Sequence, residues 1–145
     1  MPKGATFDND FLKLTFNATA IANIADNAAS SPLTNLYLAL HTADPTSAGN
    51  QTSSEATYTN YARVAVSRAS GVGGWTVSTN TVSNTSLVQF PQCGVTGNTV
   101  SYVSIGTATS GTGKILYVGA LSSPLAVSNL IQPQFAPSQL VATET

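Results

Sequence analysis

Residues 33–68 read LTNLYLALHTADPTSAGNQTSSEATYTNYARVAVSR, which predicts two strands joined by a long polar loop. In the first strand, residues 35–41, alternate side chains are apolar and fall on one face: Leu36, Leu38 and Leu40. The second strand, residues 61–67, repeats this pattern with Ala62, Val64 and Val66. The loop between them, residues 42–59, contains the turn-forming runs ADP and SAGN. Each strand therefore has one face suited to the core of a β-sheet protein.

The rest of the chain repeats this alternation of short apolar runs and turn residues. Turns at a spacing of about 8–12 residues separate about eight to ten short strands, which is typical of a sandwich or jelly roll. Residues 100–105 and 115–120 predict a hairpin-like pair with a long connecting loop. We therefore expect a mainly β fold, a jelly-roll-like β-sandwich with a short N-terminal helix. The length fits a single domain, residues 1–145, with an N-terminal arm and helix over 1–31 and the sandwich over 32–145.

The N-terminal region contains the one predicted helix, over residues 7–29. Apolar residues recur there at intervals of three and four and form one stripe, composed of Phe7, Phe11, Leu14, Ala18, Ile21 and Ala25. Leu12 and Phe16 point away from this stripe, so we expect both to be exposed unless a second surface covers them. The alternative is that they are half-buried or lie in an irregular segment. Leu12 and Phe16 are therefore candidate partner-contact residues.

The low content of charged residues limits the classes of partner that this chain can bind. Only 8% of residues are Asp, Glu, Lys or Arg, against about 25% in ordinary globular proteins. The net charge is −1 and the five basic residues are dispersed, which argues against nucleic acid and against an anionic membrane surface as partners. We expect contacts that depend on shape, apolar burial and neutral hydrogen bonds.

Cysteine usage and the apolar runs indicate a soluble protein made in the cytoplasm. Cys93 is the one cysteine, so an intrachain disulfide cannot form. The N-terminal residues lack an apolar signal core, and no apolar run approaches the ~20 residues of a membrane-spanning helix.

The sequence offers no constellation for catalysis, metal binding or cofactor binding. His41 and Asp44 lack the G-x-S-x-G elbow that would supply a nucleophilic serine for a triad. The run GTGK at residues 111–114 differs from a phosphate-binding P-loop, because Ala108 and Ile115 replace the first glycine and the final Ser or Thr. One His, one Cys and six scattered carboxylates do not make a metal cluster. We expect no enzyme activity, no cofactor and no small-molecule substrate.

Three aromatic residues leave a second interpretation open. Tyr58, Tyr61 and Trp75 could stack on a sugar, which would make the chain a carbohydrate-binding jelly-roll module. Aromatic residues beside β-strands also serve as packing within a core, and the sequence alone is compatible with either role.

The two strands and their loop resemble a pattern found in tailed-bacteriophage virion proteins. Residues 36–45 read LYLALHTADP and residues 58–66 read YTNYARVAV, similar to a strand that ends in a T-x-D-P turn, followed by a loop and a Y-A-R-x-x-V strand. Glu55 occupies the acidic position that precedes the second strand in that pattern. Residues 105–108 and 116–121 are similar as well, so the resemblance covers most of residues 7–142.

The resemblance implies a structural role in a virion. Members are described as tail-fibre-like, and closely similar chains are capsid cement, or decoration, proteins, including those of Bordetella-type podophages. The implied protein is made in the host cytoplasm and binds, as a homodimer, to the major capsid protein on the outer capsid surface, where it bridges neighbouring capsid proteins. A tail or tail-fibre component is the alternative. The long loop adds Asp44, Asn50 and Glu55 to Leu12 and Phe16 as candidate contact residues, and the family brings no catalytic residues.

Overall fold

The computed structural model of the chain describes residues 5–21, 33–46 and 48–145. Within these ranges the chain forms one helix followed by nine strands. In order they are α1 (Ala5–Phe16), β1 (Asn35–His41), β2 (Val64–Ser67), β3 (Trp75–Ser78), β4 (Thr81–Asn84), β5 (Val88–Gln89), β6 (Asn98–Gly106), β7 (Ile115–Val127), β8 (Gln134–Phe135) and β9 (Val141–Thr143). The predicted mainly β fold with a short N-terminal helix is therefore confirmed.

The strands form three sheets, whose orders are β2-β1-β6-β7, β3-β4-β9 and β5-β8. β1 pairs antiparallel with β6, and β6 pairs antiparallel with β7. In the second sheet β4 pairs antiparallel with both β3 and β9. These antiparallel sheets are consistent with the predicted sandwich class.

The chain divides into two compact units. The first contains residues 1–35, 66–88 and 135–145, and the second contains residues 36–65 and 89–134. The predicted boundary between an N-terminal arm and the sandwich, at residue 31, lies outside the described residues, and the extent of a single domain stays a prediction.

In the first unit, α1 packs against β3 and β4 through a face that differs from the predicted one. Leu12 and Phe16 are fully buried, whereas Phe7 and Phe11 are 38% and 37% exposed. The prediction that Leu12 and Phe16 point to solvent was wrong. These two residues lie one helical turn apart on the buried face, and the Phe16 ring meets the Trp75 ring edge to face, with centroids 4.9 Å apart.

The helix ends at Phe16, well before the predicted end at residue 29. The amides of Asn17 and Thr19 both donate to the Lys13 carbonyl, and Ala18 adopts a left-handed conformation with φ of 53°. The Arg68 guanidinium donates from Nη2 to the Leu14 carbonyl at 2.7 Å, and from Nε to the carbonyl of the next residue, Thr15, also at 2.7 Å. Arg68 thereby satisfies carbonyls that have no partner within the last turn of the helix. The predicted continuation over residues 22–29 lies outside the described residues.

In the second unit, the burial predicted for one face of β1 is confirmed, because Leu36, Leu38 and Leu40 are at most 2% exposed. Ala39 and His41, on the opposite face, are fully buried as well, so the strand is not exposed on alternate residues. The predicted pairing of residues 100–105 with residues 115–120 is also confirmed by the register of β6 and β7. The second predicted strand is shorter than expected, because β2 begins only at Val64. Ala62, which was predicted to lie on its buried face, precedes the strand and is exposed.

Candidate interaction surface

The long loop between β1 and β2 is fastened by an ion pair between Arg63 and Glu55. Arg63 Nε lies 2.7 Å from Glu55 Oε1, and Nη2 lies 2.8 Å from Oε2, so the pair is bidentate. The Arg63 side chain is 2% exposed and that of Glu55 is 18% exposed. A charge-assisted bidentate pair of this kind fixes both the distance and the orientation of the two side chains. The ion pair therefore holds the end of the loop at Glu55 against Arg63.

Arg63 also holds the loop that precedes β7. Its Nη1 donates to the Ala108 carbonyl at 2.9 Å, and its Nη2 donates to the Gly111 carbonyl at 2.7 Å. One guanidinium thus connects residues 42–60 with residues 107–114, and both loops belong to the second unit. The hydrogen bond that Arg63 donates to Glu55 is the largest cause that raises the pKa of Arg63, so this group stays charged.

Tyr61 and Gln51 complete the same network. The Tyr61 hydroxyl donates to Glu55 Oε1 at 3.0 Å and accepts from the Leu40 amide at 3.1 Å, and burial raises the pKa of Tyr61. Gln51 is fully buried, and its Nε2 donates to the Tyr37 carbonyl at 2.9 Å. A Cβ at Gly113 would collide with the Gln51 side chain, which explains a glycine in the GTGK run without any phosphate.

Asp44 and Asn50, both predicted as contact residues, build turns within the loop. Asp44 is exposed, and its Oδ1 accepts from the Thr46 amide at 2.8 Å. Asn50 Oδ1 accepts from the Thr52 amide at 2.9 Å and from the Thr52 hydroxyl at 2.6 Å. These are the local hydrogen bonds by which Asx residues shape turns. The structure brings Glu55 into the buried network and leaves Asp44 and Asn50 on the loop.

His41 is a core residue at the end of β1. It is fully buried, its Nδ1 lies 2.8 Å from the Ser53 carbonyl and its Nε2 lies 2.7 Å from Ser104 Oγ. A carbonyl only accepts, so Nδ1 carries the proton of the neutral ring and Nε2 accepts from the serine. In a catalytic triad a carboxylate accepts the proton of Nδ1, whereas here the Ser53 carbonyl accepts it. Ser104, the serine on Nε2, is fully buried, unlike an exposed nucleophile. Burial is the largest cause that lowers the pKa of His41.

The three aromatic residues considered for sugar binding do not form an exposed platform. Trp75 is fully buried, Tyr58 is 2% exposed, and Tyr61 packs edge to face on Tyr58 at 5.2 Å. Burial raises the pKa of Tyr58 to about 12. Of the two interpretations left open by the sequence, the burial and ring contacts of these residues support packing within the core.

Two adjacent turns in the second unit carry exposed apolar side chains. Val95 is 87% exposed, Leu130 is 68% exposed and Ile131 is 40% exposed. The turns lie side by side because the Leu130 amide donates to the Cys93 carbonyl at 2.9 Å and the Cys93 amide donates to the Ile131 carbonyl at 2.8 Å. We call Val95, Leu130 and Ile131 the apolar tip.

Leu130 is strained as well as exposed. Its φ is 68°, in the left-handed region that a leucine seldom adopts. The Leu130 carbonyl accepts from Gln92 Nε2 at 2.9 Å, which helps to hold the turn in this shape. Backbone strain of this kind clusters at functional sites, so a strained residue with an exposed apolar side chain is a candidate contact residue.

Within the described ranges, no group of three or more His, Cys, Asp or Glu residues could hold a metal ion. Cys93 is buried, with its Sγ 3.4 Å from the Thr96 carbonyl. No helix among the residues that the structure describes is long and apolar enough to cross a membrane.

Local sequence patterns do not indicate that Arg63 is the centre of the loop network or that Arg68 binds the end of the helix. The signal for Arg63 was its place beside an apolar strand, because a buried guanidinium needs hydrogen-bond acceptors. Glu55 fills this role for Arg63, whereas backbone carbonyls fill it for Arg68. The sequence signal for the apolar tip was weaker. Single apolar residues in turns are common on protein surfaces, so their presence in a sequence does not indicate a contact surface.

The family described as Podophage GP4 fiber I protein gp80 matches residues 12–143 of the chain, which contain all of the second unit and most of the first. A search of curated proteins gave no match.

Proposed function

Because this chain belongs to the podophage GP4 fiber I protein gp80 family, and is therefore a phage virion protein, we propose that it is a structural component of the virion fibre. It acts by contact with neighbouring virion proteins and not by catalysis. The family membership supports the location, and the apolar tip supports the mode of action.

The apolar tip carries the proposal because its exposure is costly in an isolated protein. Burying a Val, Leu or Ile side chain fully is worth about 1.5–3 kcal/mol, and Val95 and Leu130 forgo most of this free energy in the isolated chain. An apolar partner surface would recover it on assembly. With 8% charged residues in the chain, such a contact depends on fit and burial more than on attraction between charges.

The network around Arg63 orders two loops of the second unit, the unit that also carries the apolar tip. Arg63 and Gln51 fasten the long loop and the loop before β7 to the sheet, so the second unit offers an ordered surface to its partner. A preorganised surface loses less conformational entropy when it binds. The proposed binding mode is therefore the docking of a fixed surface, without folding of a loop on contact.

The test is incorporation of variants into virions. Val95→Asp and Leu130→Asp each place a charge on the apolar tip, and Asp tolerates the left-handed conformation at position 130 better than leucine does. Val72→Asp is the matched control, because Val72 is 98% exposed and lies in the first unit. Phage that lack the gene are supplied with each variant, and the protein in purified virions is quantified.

We expect both tip variants to keep the melting temperature of the wild type and to be depleted from virions at least tenfold, whereas Val72→Asp is incorporated normally. Normal incorporation of both folded tip variants would contradict the role of the tip. Location is read separately by electron cryomicroscopy of the virion, where density for the chain outside the fibre would contradict the proposed component.

A capsid cement protein is the second candidate. Its support is the resemblance of residues 36–45 and 58–66 to cement proteins of tailed phages. In that role the chain would bind the outer capsid surface as a homodimer and bridge major capsid proteins. Of the loop residues predicted as contacts, Asp44 and Asn50 would serve there, because the carboxylate of Glu55 is bound by Arg63 and Tyr61. Binding of purified protein to shells assembled from the major capsid protein alone would favour this candidate over the fibre.

A further inference from the structure

Leu130 occupies a turn position that normally belongs to glycine or asparagine. The Ile131 amide donates to the Ser128 carbonyl at 2.9 Å, which closes a turn over residues 128–131. Leu130 is the third residue of this turn, and its φ is 68°. A positive φ at the third position favours glycine or asparagine, because the Cβ of other residues is crowded in this conformation. The shape of the turn therefore gives no reason for a leucine.

The surroundings of the Leu130 side chain give no reason for it either. Leu130 is 68% exposed, so most of its surface faces water. Its backbone conformation lowers the stability of the fold, and its partial burial returns little of that loss. Ser138 has a similar φ of 64° but presents a polar side chain to water. An apolar side chain in such a place indicates a contact that the described residues do not provide.

Hydrogen bonds hold Leu130 in its left-handed conformation from both sides. Its amide donates to the Cys93 carbonyl at 2.9 Å, and its carbonyl accepts from Gln92 Nε2, also at 2.9 Å. Because a carbonyl oxygen only accepts, this bond also fixes the orientation of the Gln92 side-chain amide. The Ile131 amide, which belongs to the same peptide group as the Leu130 carbonyl, is held by Ser128. These bonds oppose a flip of that peptide group.

The turn that carries Val95 is packed closely against the turn that carries Leu130. A Cβ at Gly97 would collide with the Val127 carbonyl oxygen and would lie 3.1 Å from Ser128 Cα. A glycine permits this approach of one backbone to another. Val95 and Leu130 are therefore presented at a fixed spacing, and such a preorganised pair loses little conformational entropy when it is bound.

The exposed fractions of the tip residues define the shape of a surface that can bury them. Val95 is 87% exposed and Leu130 is 68% exposed, so a flat surface would cover one side of each and leave the rest in water. Full burial requires a concave site. The sequence has no charged residue between Arg68 and Lys114 or between Lys114 and Glu144, so both turns are neutral. A charge buried against them would find no partner, which favours a pocket lined by apolar side chains.

We propose that Leu130 is the anchor of the apolar tip, that it enters an apolar, uncharged pocket on another protein of the virion, and that Gln92 positions it. This inference rests on the proposed structural function and specifies the partner site and the residue that fills it. The binding energy of an interface is concentrated in a few side chains that fill desolvated pockets. Val95 and Ile131 make the contacts around this anchor. The strained leucine is kept because the complex uses its side chain.

Leu130→Asn separates the requirements of the fold from those of the contact, because asparagine suits the left-handed conformation and lacks the apolar side chain. We expect this variant to melt no lower than wild type and up to about 4 °C higher. We expect its occupancy in purified virions to fall about tenfold or more. Leu130→Met keeps an apolar side chain of similar size and should stay within about threefold of wild type. Ser138→Asn is the matched control, which relieves similar strain in the first unit and should leave occupancy unchanged.

The positioning role of Gln92 is tested by a double-mutant cycle with Leu130. Gln92→Ala removes the hydrogen bond to the Leu130 carbonyl and should lower occupancy about threefold or more when leucine is present. In the Leu130→Asn background the same change should have no further effect, because no anchor remains to be positioned. Equal losses of occupancy in the two backgrounds would contradict this role, since a residue that serves only the fold acts in both.

The partner site is identified by photocrosslinking in purified virions. The photoreactive residue p-benzoylphenylalanine takes the place of Thr96, which is exposed, follows Val95 and leaves the three tip side chains intact. Mass spectrometry locates the crosslinked peptide, which we expect to be an apolar, uncharged segment of another virion protein. A crosslink only to this chain or to a charged segment would overturn the inference, as would an incorporated variant that gives no crosslink. Normal occupancy of Leu130→Asn, or a melting temperature clearly below wild type, would overturn it as well.

Failure here is distinguishable from failure of the proposed function. Normal occupancy of Leu130→Asn together with depletion of Val95→Asp would remove Leu130 as the anchor and leave the role of the tip in place. Absence of the wild-type protein from virions would contradict the structural role itself, whatever Leu130 does.

Discussion

Arg63 and Glu55 lie eight residues apart in the chain and form a bidentate ion pair, with N–O distances of 2.7 and 2.8 Å, beneath the loop that separates them. The guanidinium also reaches the carbonyls of Ala108 and Gly111, so the pair ties two loops to one position. Few charged residues exist in this chain, and two of them are used in its interior.

Removal of the Glu55 carboxylate should destabilise the fold strongly. Breaking a buried ion pair from one side costs about 3–5 kcal/mol, and the 18% exposure of Glu55 places our expectation for Glu55→Ala near the lower end. Unfolding in urea measures this loss. Asp44→Ala is the control, since Asp44 is exposed and serves one turn, and we expect it to cost at most about 1 kcal/mol. Equal losses for the two variants would refute the role of the pair.

Arg63→Lys should fail to replace arginine. An ammonium group cannot form the bidentate pair and reach two carbonyls from the same position. We expect a lower free energy of unfolding and faster proteolysis of residues 42–60 in the folded protein, followed by mass spectrometry. Wild-type stability together with wild-type proteolysis would show that the loop is held by other contacts.

Truncation of Phe16 should damage the core of the first unit. Phe16 is fully buried against Trp75, and Phe→Ala substitutions in cores cost about 3–5 kcal/mol. Phe7→Ala on the same helix is the matched control and should cost clearly less, because Phe7 is 38% exposed. Thermal and urea unfolding compare the two variants. A larger loss for Phe7→Ala would reverse the assignment of the buried face.

Stability should fall as the pH drops below 6.5, the usual pKa of histidine, because burial lowers the pKa of His41 in the folded protein. Below pH 6.5 the unfolded chain binds a proton at His41, whereas the folded chain keeps the neutral ring. The free energy of unfolding therefore decreases, by up to about 1.4 kcal/mol per pH unit, until the pH reaches the pKa of His41 in the folded protein. His41→Gln should remove this slope between about pH 5 and 6.5, even if it lowers stability overall. His41 is the one histidine of the chain, so an unchanged slope would contradict this origin.

The sequence predicted those features that depend on local periodicity. The alternation of Leu36, Leu38 and Leu40 identified β1 and one of its buried faces. The predicted helix extended to residue 29, whereas α1 ends at Phe16. Phe7, Phe11 and Leu14 of the predicted stripe lie within α1, yet Leu12 and Phe16 are the fully buried residues, because the tertiary contact with Trp75 decides which apolar face is covered.

The contacts of Arg68 and of Gln51 could not be predicted from the sequence because their partners are distant in the chain. Arg68 contacts carbonyls of Leu14 and Thr15 more than fifty positions earlier in the chain. Gln51 and Gly113 specify each other in the same way. Such pairs follow from the tertiary fold, which a local pattern does not contain. Glu55 was selected for its position in a family pattern, and its buried pairing with Arg63 explains why that position is acidic.

The register of β6 and β7 passes from Val100↔Leu125 to Tyr102↔Ala120, so residues 121–124 form a bulge opposite Ser101. This bulge makes β7 a place to attach foreign sequence. Ser122, Ser123 and Pro124 are exposed and already out of step with β6, so the ladder does not depend on their spacing. A peptide inserted between Ser122 and Ser123 would lengthen an existing excursion, and the entropic cost of loop closure grows slowly with length. Epitopes or affinity tags grafted there would decorate the outside of the protein while both halves of the strand stay in register.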